Sequence, residues 1–258
     1  MAFRILVSND DGVYSPGIAA LAEVAAEFGT VRVVAPDVEM SSAGHSITAW
    51  RPLDYKPTPL DNIETFRVNG TPADCVALGA SQWQDIDVVL SGINLGSNVG
   101  HAIWHSGTLA AAKQAALLGL RGIAFSTPTT ETEPDFPSLV PWVDQTLKML
   151  IGQKNLPLLN VNIPVSPRGI CWTRQSIRHY DGRVVPGNDP MGRQHYWYTV
   201  IPVEQVEEGT DRWAMGCGYV SITPLRLDLT DDVLLNEERS RLGCSKEGLA
   251  RNAAESMQ

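Results

Sequence analysis

No two of the four cysteines in this 258-residue chain, Cys75, Cys171, Cys217 and Cys244, stand in a C-x-x-C spacing. That spacing argues against a zinc site and favours reduced, packed thiols of a cytoplasmic protein. Positive charge is also short. Lys and Arg number 20 against 29 Asp and Glu, a formal net charge of -9, which leaves no basic surface for a nucleic-acid duplex. No apolar run is long enough to span a bilayer. The first residues read as a strand, not as a signal peptide, so the expected location is the cytoplasm. Neither G-x-G-x-x-G nor a P-loop pattern occurs, so no dinucleotide or ATP site is expected. Internal repeats and low-complexity tracts are missing as well.

What remains is an ordinary globular composition, 43% hydrophobic and 19% charged, enough for one large domain with a full core. The first two-thirds alternate strand-like and helix-like segments. Strands are expected at Phe3–Val7, Val31–Ala35, Thr65–Val68, Asp87–Ser91, Gly122–Ser126 and Leu158–Ile163. Helices are expected after Pro16-Gly17, after Thr71-Pro72, over Ser106–Leu118 and over Phe136–Ile151. Thr71 suits an N-cap, Pro72 the first helical position and Asp74 the positive helix end. Such alternation predicts an α/β fold, a mainly parallel sheet between helical layers. Beyond about Pro164 the character changes. Trp172, Tyr180, Tyr196, Trp197, Tyr198 and Trp213 concentrate here, and Asp181–Gln194, rich in Gly, Pro, Asn and Arg, reads as a long hairpin or arm. Asp231–Met257 has helical propensity and many charges. With little core of its own, this appendage is expected to pack on another subunit, or else to cover its own sheet.

The chemistry sits at strand ends. Phe3-Arg4-Ile5-Leu6-Val7-Ser8 runs into Asn9-Asp10-Asp11-Gly12, and in an open α/β sheet ligands bind beyond the carboxyl ends of the strands. Adjacent carboxylates there repel one another unless a cation intervenes. Three further segments, Ser41–Ser46, Asn69–Asp74 and Ser91–Asn98, are expected on the same rim. Together they offer carboxylate, hydroxyl and carboxamide oxygens, a donor set for Mg or Mn rather than zinc. His105-Ser106-Gly107-Thr108 then opens an alanine-rich helix whose free N–H groups make an anion site, with Gly107 allowing close approach. Alone, each piece is a turn or a cap, and His45, His101 and His105 are individually surface or hydrogen-bonded histidines. Their arrangement on successive βα loops carries the reading.

The pieces SNDDGVYSPGI, VVAPDVEMSSAGHS, VNGTPADCV, LSGINLGSNVG and HSGTLAAAKQA resemble, in order, those of the survival protein SurE family. The likeness continues more loosely in LNVNIP and GYVSITPL. It implies a single domain over residues 1–258, with a three-layer Rossmann-like catalytic core over about 1–165 and a hairpin and C-terminal arm over about 166–258. It implies a homodimer or homotetramer assembled through that arm and hairpin. Asp10, Asp11, Ser41 and Asn94 become ligands of one divalent cation per subunit. Ser106, Gly107 and Thr108 become the phosphate-contacting residues, and Asn98 joins them in the pocket. Asp10, Asp11, Asn94, Ser106, Gly107 and Thr108 are the expected catalytic group. Met40 and His105 depart from the residues usual in the family, and those departures bear on substrate preference rather than on the cation.

The activity so implied is metal-dependent hydrolysis of nucleoside 5′-monophosphates, with 3′-monophosphates as a further substrate class. The cation polarises a phosphoryl oxygen, and the helix end stabilises the developing charge. Water is favoured over an aspartate as nucleophile, because the Asp-x-Asp pattern of aspartyl-phosphate enzymes is absent. Two rivals stay open at this stage. One is a metal-dependent deacetylase on a similar fold, and the other is a nucleotide-sensing module without turnover.

Overall fold

The structure, a computed structural model, describes residues 2–60, 62–131, 135–177, 180–202 and 205–242. Within Met1–Leu225, the larger of two compact units, six strands run parallel: β1 (Phe3–Ser8), β2 (Gly29–Pro36), β4 (Glu64–Val68), β5 (Val88–Leu95), β6 (Gly122–Thr127) and β7 (Leu158–Asn162). Their spatial order is β4-β2-β1-β5-β6-β7. Counted in chain order among themselves this is 3-2-1-4-5-6, the doubly wound arrangement. Chain direction across the sheet reverses between β1 and β5. The loops leaving those two neighbours diverge, and a crevice opens between them.

Helices cover both faces because the strands are apolar on both. Ile5 and Val7 of β1 point to one side, into a core with Ile18 and Leu21 of α1 (Pro16–Ala26) and Val143 and Leu147 of α4 (Phe136–Leu150). Leu6, between them, points to the other side. It meets Cys75 and Val76 of α2 (Pro72–Gln82) and Ala111 and Ala115 of α3 (Gly107–Leu117). The period of two along the strand thus divides one apolar run between two cores. At the start of α2 Thr71 is the expected N-cap with Pro72 in the first turn, and Asp74 completes a capping box by accepting from the Thr71 N–H.

The expected core boundary near residue 165 falls inside the sheet. A short edge strand β3 (Tyr55–Pro57) pairs antiparallel with β4. At the far edge, β11 (Tyr219–Pro224) pairs antiparallel with β7, and β8 (Gly169–Trp172) lies parallel beside β11. Between β8 and β11 come the expected hairpin, β9 (Tyr180–Asn188) and β10 (Gln194–Pro202), and a short helix α5 (Asp211–Gly216). The second unit, Arg226–Gln258, contains α6 (Asp232–Arg241). Asp231 caps it, and none of its residues is buried. The rest of the helical expectation for Asp231–Met257, and Cys244, lie outside the described residues. Cys75, Cys171 and Cys217 are free thiols. Among the described residues no helix is long and apolar enough to cross a membrane.

Candidate active site

The crevice between β1 and β5 leads into a cavity of about 710 Å³ lined by Asp10, Ser41, Ser42, Asn94–Asn98, Ala102, His105, Ser106 and Tyr198. Asp10 and Asp11 arrive from the end of β1. Asn94 arrives from β5, at a register irregularity against β6 between Ser91 and Asn94. Such bulges re-aim side chains at strand ends. The Asn94 amide nitrogen donates to the Gly96 carbonyl at 2.6 Å, which leaves its oxygen as the free acceptor. Ser41 and Ser42 come from the loop after β2. Ser42 adopts a left-handed backbone, φ 60°, an unusual conformation for a residue with a side chain. The loop is held by the Met40 N–H donating to the Asp10 carbonyl at 2.7 Å. The Ser41 hydroxyl donates to Glu39 at 2.7 Å.

Asn69–Asp74 lies elsewhere. It braces the Ser41–Thr48 loop from behind: the Thr71 hydroxyl donates to the Ser46 carbonyl at 2.7 Å, and the Thr48 N–H donates to Asp74 at 3.0 Å. Three of the four expected segments therefore meet at the cavity, and the fourth supports one of them. Of the histidines, His105 lines the cavity, His45 bonds to Gln114 at 2.9 Å, and His101 is exposed.

The start of α3 serves the aspartate. The Thr108 hydroxyl donates to Asp10 Oδ1 at 2.6 Å, and the Thr108 backbone also bonds to that carboxylate. Gly107 packs directly on Asp10. A Cβ built on it would stand 2.7 Å from Asp10 Cβ and 2.8 Å from Oδ2. The close approach that Gly107 permits is thus the approach of Asp10. Ser106 caps the helix by accepting from the Leu109 N–H at 3.0 Å, and of the three residues only its side chain lines the cavity.

Behind Thr108 runs a chain of buried amides, of which the sequence singled out Asn98 but not Asn160 and Asn162. The Asn98 amide donates to Ser126 Oγ at 2.9 Å and to Thr108 Oγ1 at 3.4 Å. The Asn98 backbone is clamped by β7: its N–H donates to Asn162 Oδ1 at 2.8 Å, and its carbonyl accepts from Asn160 at 2.7 Å and Asn162 at 3.1 Å. Asparagine pairs on a buried strand, as in Leu159-Asn160-Val161-Asn162, were the available signal, since buried amides need partners.

Electrostatics at the carboxylate pair are unfavourable without a counter-charge. Burial pushes the Asp10 carboxyl up, more than its hydrogen bonds from Thr108 pull it down. Burial and the neighbouring Asp10 push Asp11 up to about 7. Asp11 Oδ2 is buried with no hydrogen-bond partner, a costly state for a carboxylate oxygen. A divalent cation relieves both deficits. The donor set fits one: Asp10, the orphaned Asp11 oxygen, the Asn94 carboxamide oxygen and the Ser41 hydroxyl are all hard oxygens. Among the described residues no group of three or more His, Cys, Asp and Glu is arranged for a metal. In this set two of the four donors, Asn94 and Ser41, are neutral.

Comparisons with known proteins agree on one lineage. The sequence model of the family described as survival protein SurE matches residues 5–182. A Thermus thermophilus protein, "5'-nucleotidase SurE 1", is 48% identical over 234 residues, covering 88% of this chain and 93% of that one. A Deinococcus radiodurans "5'-nucleotidase SurE" is 43% identical over 244 residues, 91% of each. The crystal structure of the Sure protein from Aquifex aeolicus superposes with a TM-score of 0.80 at 40% identity, covering 92% of this chain and 98% of that one.

Proposed function

This chain belongs to the survival protein SurE family, and we propose that it hydrolyses nucleoside 5′-monophosphates to nucleoside and phosphate at the crevice between β1 and β5. It is a 5′-nucleotidase of the phosphomonoesterase class. Nucleotidases of this family are metal-dependent in general. The observation that carries the reading is buried Asp10, which lines one cavity with Ser106 at the start of α3, next to an Asp11 whose Oδ2 is buried without a partner.

Asp10, Asp11, Asn94 and Ser41 would hold one Mg or Mn ion, which when bound supplies a Lewis acid for the phosphoryl oxygens. The residues of the chain do the rest. Thr108 fixes the Asp10 carboxylate with two donors, and Asn98 fixes Thr108. Orientation of this kind, through the partners of a ligand, is what tunes a metal site. Ser106 and the opening N–H groups of α3 face the phosphate and stabilise charge that grows on it during transfer. The low exposure of Asp10, Asn94, Asn98 and Ser106, each between 4% and 8%, excludes bulk water and strengthens these interactions. A homodimer or homotetramer built through the hairpin and the segment after residue 225, and a cytoplasmic location, complete the reading. Exposed Tyr196 and Trp197 on the hairpin support the first.

Phosphate release from a panel of 5′- and 3′-nucleotides, with Mg, Mn or chelator present, tests the proposal. Turnover that appears with the cation and stops with chelator is expected. Absence of release from any nucleotide, or indifference to chelator, would overturn it.

A further inference from the structure

The cavity lining is of two kinds. Asp10, Ser41, Asn94, Asn98 and Ser106 are polar and suit a cation and a phosphate. Leu95 and Ala102 are apolar and Tyr198 brings an aromatic ring, and these three have no work to do on either. Tyr198 reaches the cavity from β10, far along the chain from every other lining residue. Its arrival has two structural causes. First, the stem of the hairpin is pinned to the loop that carries Asn98. The Gln175 amide donates to the Gly100 carbonyl at 2.9 Å. The buried Asp211 carboxylate accepts from the Gly100 N–H at 2.8 Å and from the Ser176 N–H at 3.0 Å. Second, the Tyr198 ring lies across Gly182 on the opposing strand, where any Cβ would overlap its hydroxyl. The glycine leaves room for the ring. Tyr198 stays 65% exposed, so its aromatic face is not consumed by packing.

Resting on the nucleotidase reading, we infer that Tyr198 is the residue that binds the nucleobase, stacking its ring on the base while the phosphate sits at the start of α3. The base is the planar, weakly polar part of the substrate, and every base has a π-face that an aromatic side chain can cover. Leu95 and Ala102 supply the remaining apolar contact. Tyr198 touches no reacting atom. It contributes to binding and to the choice between nucleotides and other phosphomonoesters.

Steady-state kinetics on adenosine 5′-monophosphate and on ribose 5-phosphate, the same ester without its base, separate this role from others. Wild type should show the lower KM for the nucleotide. Tyr198→Ala should raise the nucleotide KM about ten-fold, the size of one lost base stack. Its kcat, and the KM for ribose 5-phosphate, should stay as in wild type. Tyr198→Phe should behave as wild type. Gly182→Val, which displaces the ring without removing it, should reproduce the Tyr198→Ala pattern. An active wild type in which Tyr198→Ala alters both substrates alike, or neither, overturns the role of Tyr198 and leaves the nucleotidase reading intact. A wild type inactive on both esters overturns the reading and the inference with it.

Discussion

At the carboxyl ends of β1, β5, β6 and β7 the chain buries polarity: Ser8, Asn9, Asp10, Ser91, Asn94, Asn98, Ser126, Asn160 and Asn162 are all below 9% exposed. On the hairpin the opposite holds, and Met191, Tyr196, Trp197 and Tyr198 are each 64% exposed or more. Both regions invert the usual partition of side chains, and such inversions are the informative ones. They differ in what sustains them. At the strand ends Asp10 and Asn98 are held by hydrogen bonds with elements distant in sequence, which fix both in place. The hairpin is held by its own ladder, in register from Tyr180↔Pro202 to Asn188↔Gln194, and leaves Met191, Tyr196 and Trp197 open to a contact outside itself. A buried polar group reports preorganisation, whereas an exposed aromatic reports a ligand or a partner.

Damage at the strand ends should therefore abolish chemistry, and damage on the hairpin should redirect it. The largest effect is expected from Asp10→Asn and Asp11→Asn. Both should eliminate cation-stimulated phosphate release while the fold survives, because a repulsive buried pair is relieved. Calorimetric titration of Mg or Mn is the check, and unchanged affinity in both variants would remove these residues from the cation site. Next comes Gly107→Ala. Its methyl meets Asp10 within 3 Å, so cation affinity itself should fall, together with turnover. A variant that binds the cation normally and loses only phosphate binding would reassign Gly107 to the phosphate. Thr108→Val, which deletes the 2.6 Å bond to Asp10, should weaken cation binding or activity by roughly 10–100-fold, as loss of a ligand's orienting partner does.

A smaller effect is expected behind the site. Burial would raise the Asp74 carboxyl, but its bonds from Thr48 and Thr71 outweigh that and hold it below its ordinary value of 3.8. A carboxyl depressed in the folded state stabilises fully above its unfolded pKa, and that contribution is lost as pH falls through the folded value. Asp74→Ala should therefore cost about 1 kcal/mol near neutral pH, as caps do. The deficit relative to wild type should shrink below about pH 4 in denaturant titrations. The smallest effect on stability is expected for Trp197→Ser, within about 0.5 kcal/mol as for other exposed sites. Light scattering should nonetheless show weaker self-association, and an unaltered oligomer would take Trp197 out of the interface.

Legibility in the sequence followed locality. Six parallel strands and the helices between them could be read from apolar periodicity, and the Thr71–Asp74 cap from four adjacent residues. Asp10-Asp11 was readable because two like charges after a buried run demand a reason. The sequence offered the start of α3 as an anion site, but its attachment to Asp10 was not legible, since Thr108 and Asp10 are 98 positions apart. Asn160 and Asn162 read as mere strand residues. Their purpose appears only when β7 lies beside the loop that carries Asn98. Strands β8 and β11 escaped notice as parts of the sheet because they join it on either side of the hairpin, and β11 does so antiparallel to β7. Tyr198 was visible as one aromatic among several, and nothing local distinguishes it from Tyr196.

The clamp on the Asn98 backbone has a consequence for the order in which this protein becomes competent. During synthesis the carboxylates emerge first, then Ser41, Asn94 and the start of α3, so that by residue 110 every expected ligand has been made. The residues that hold Asn98 in place, Asn160 and Asn162, come some fifty residues later. A nascent chain halted in that interval carries the whole ligand set without the frame that orients it.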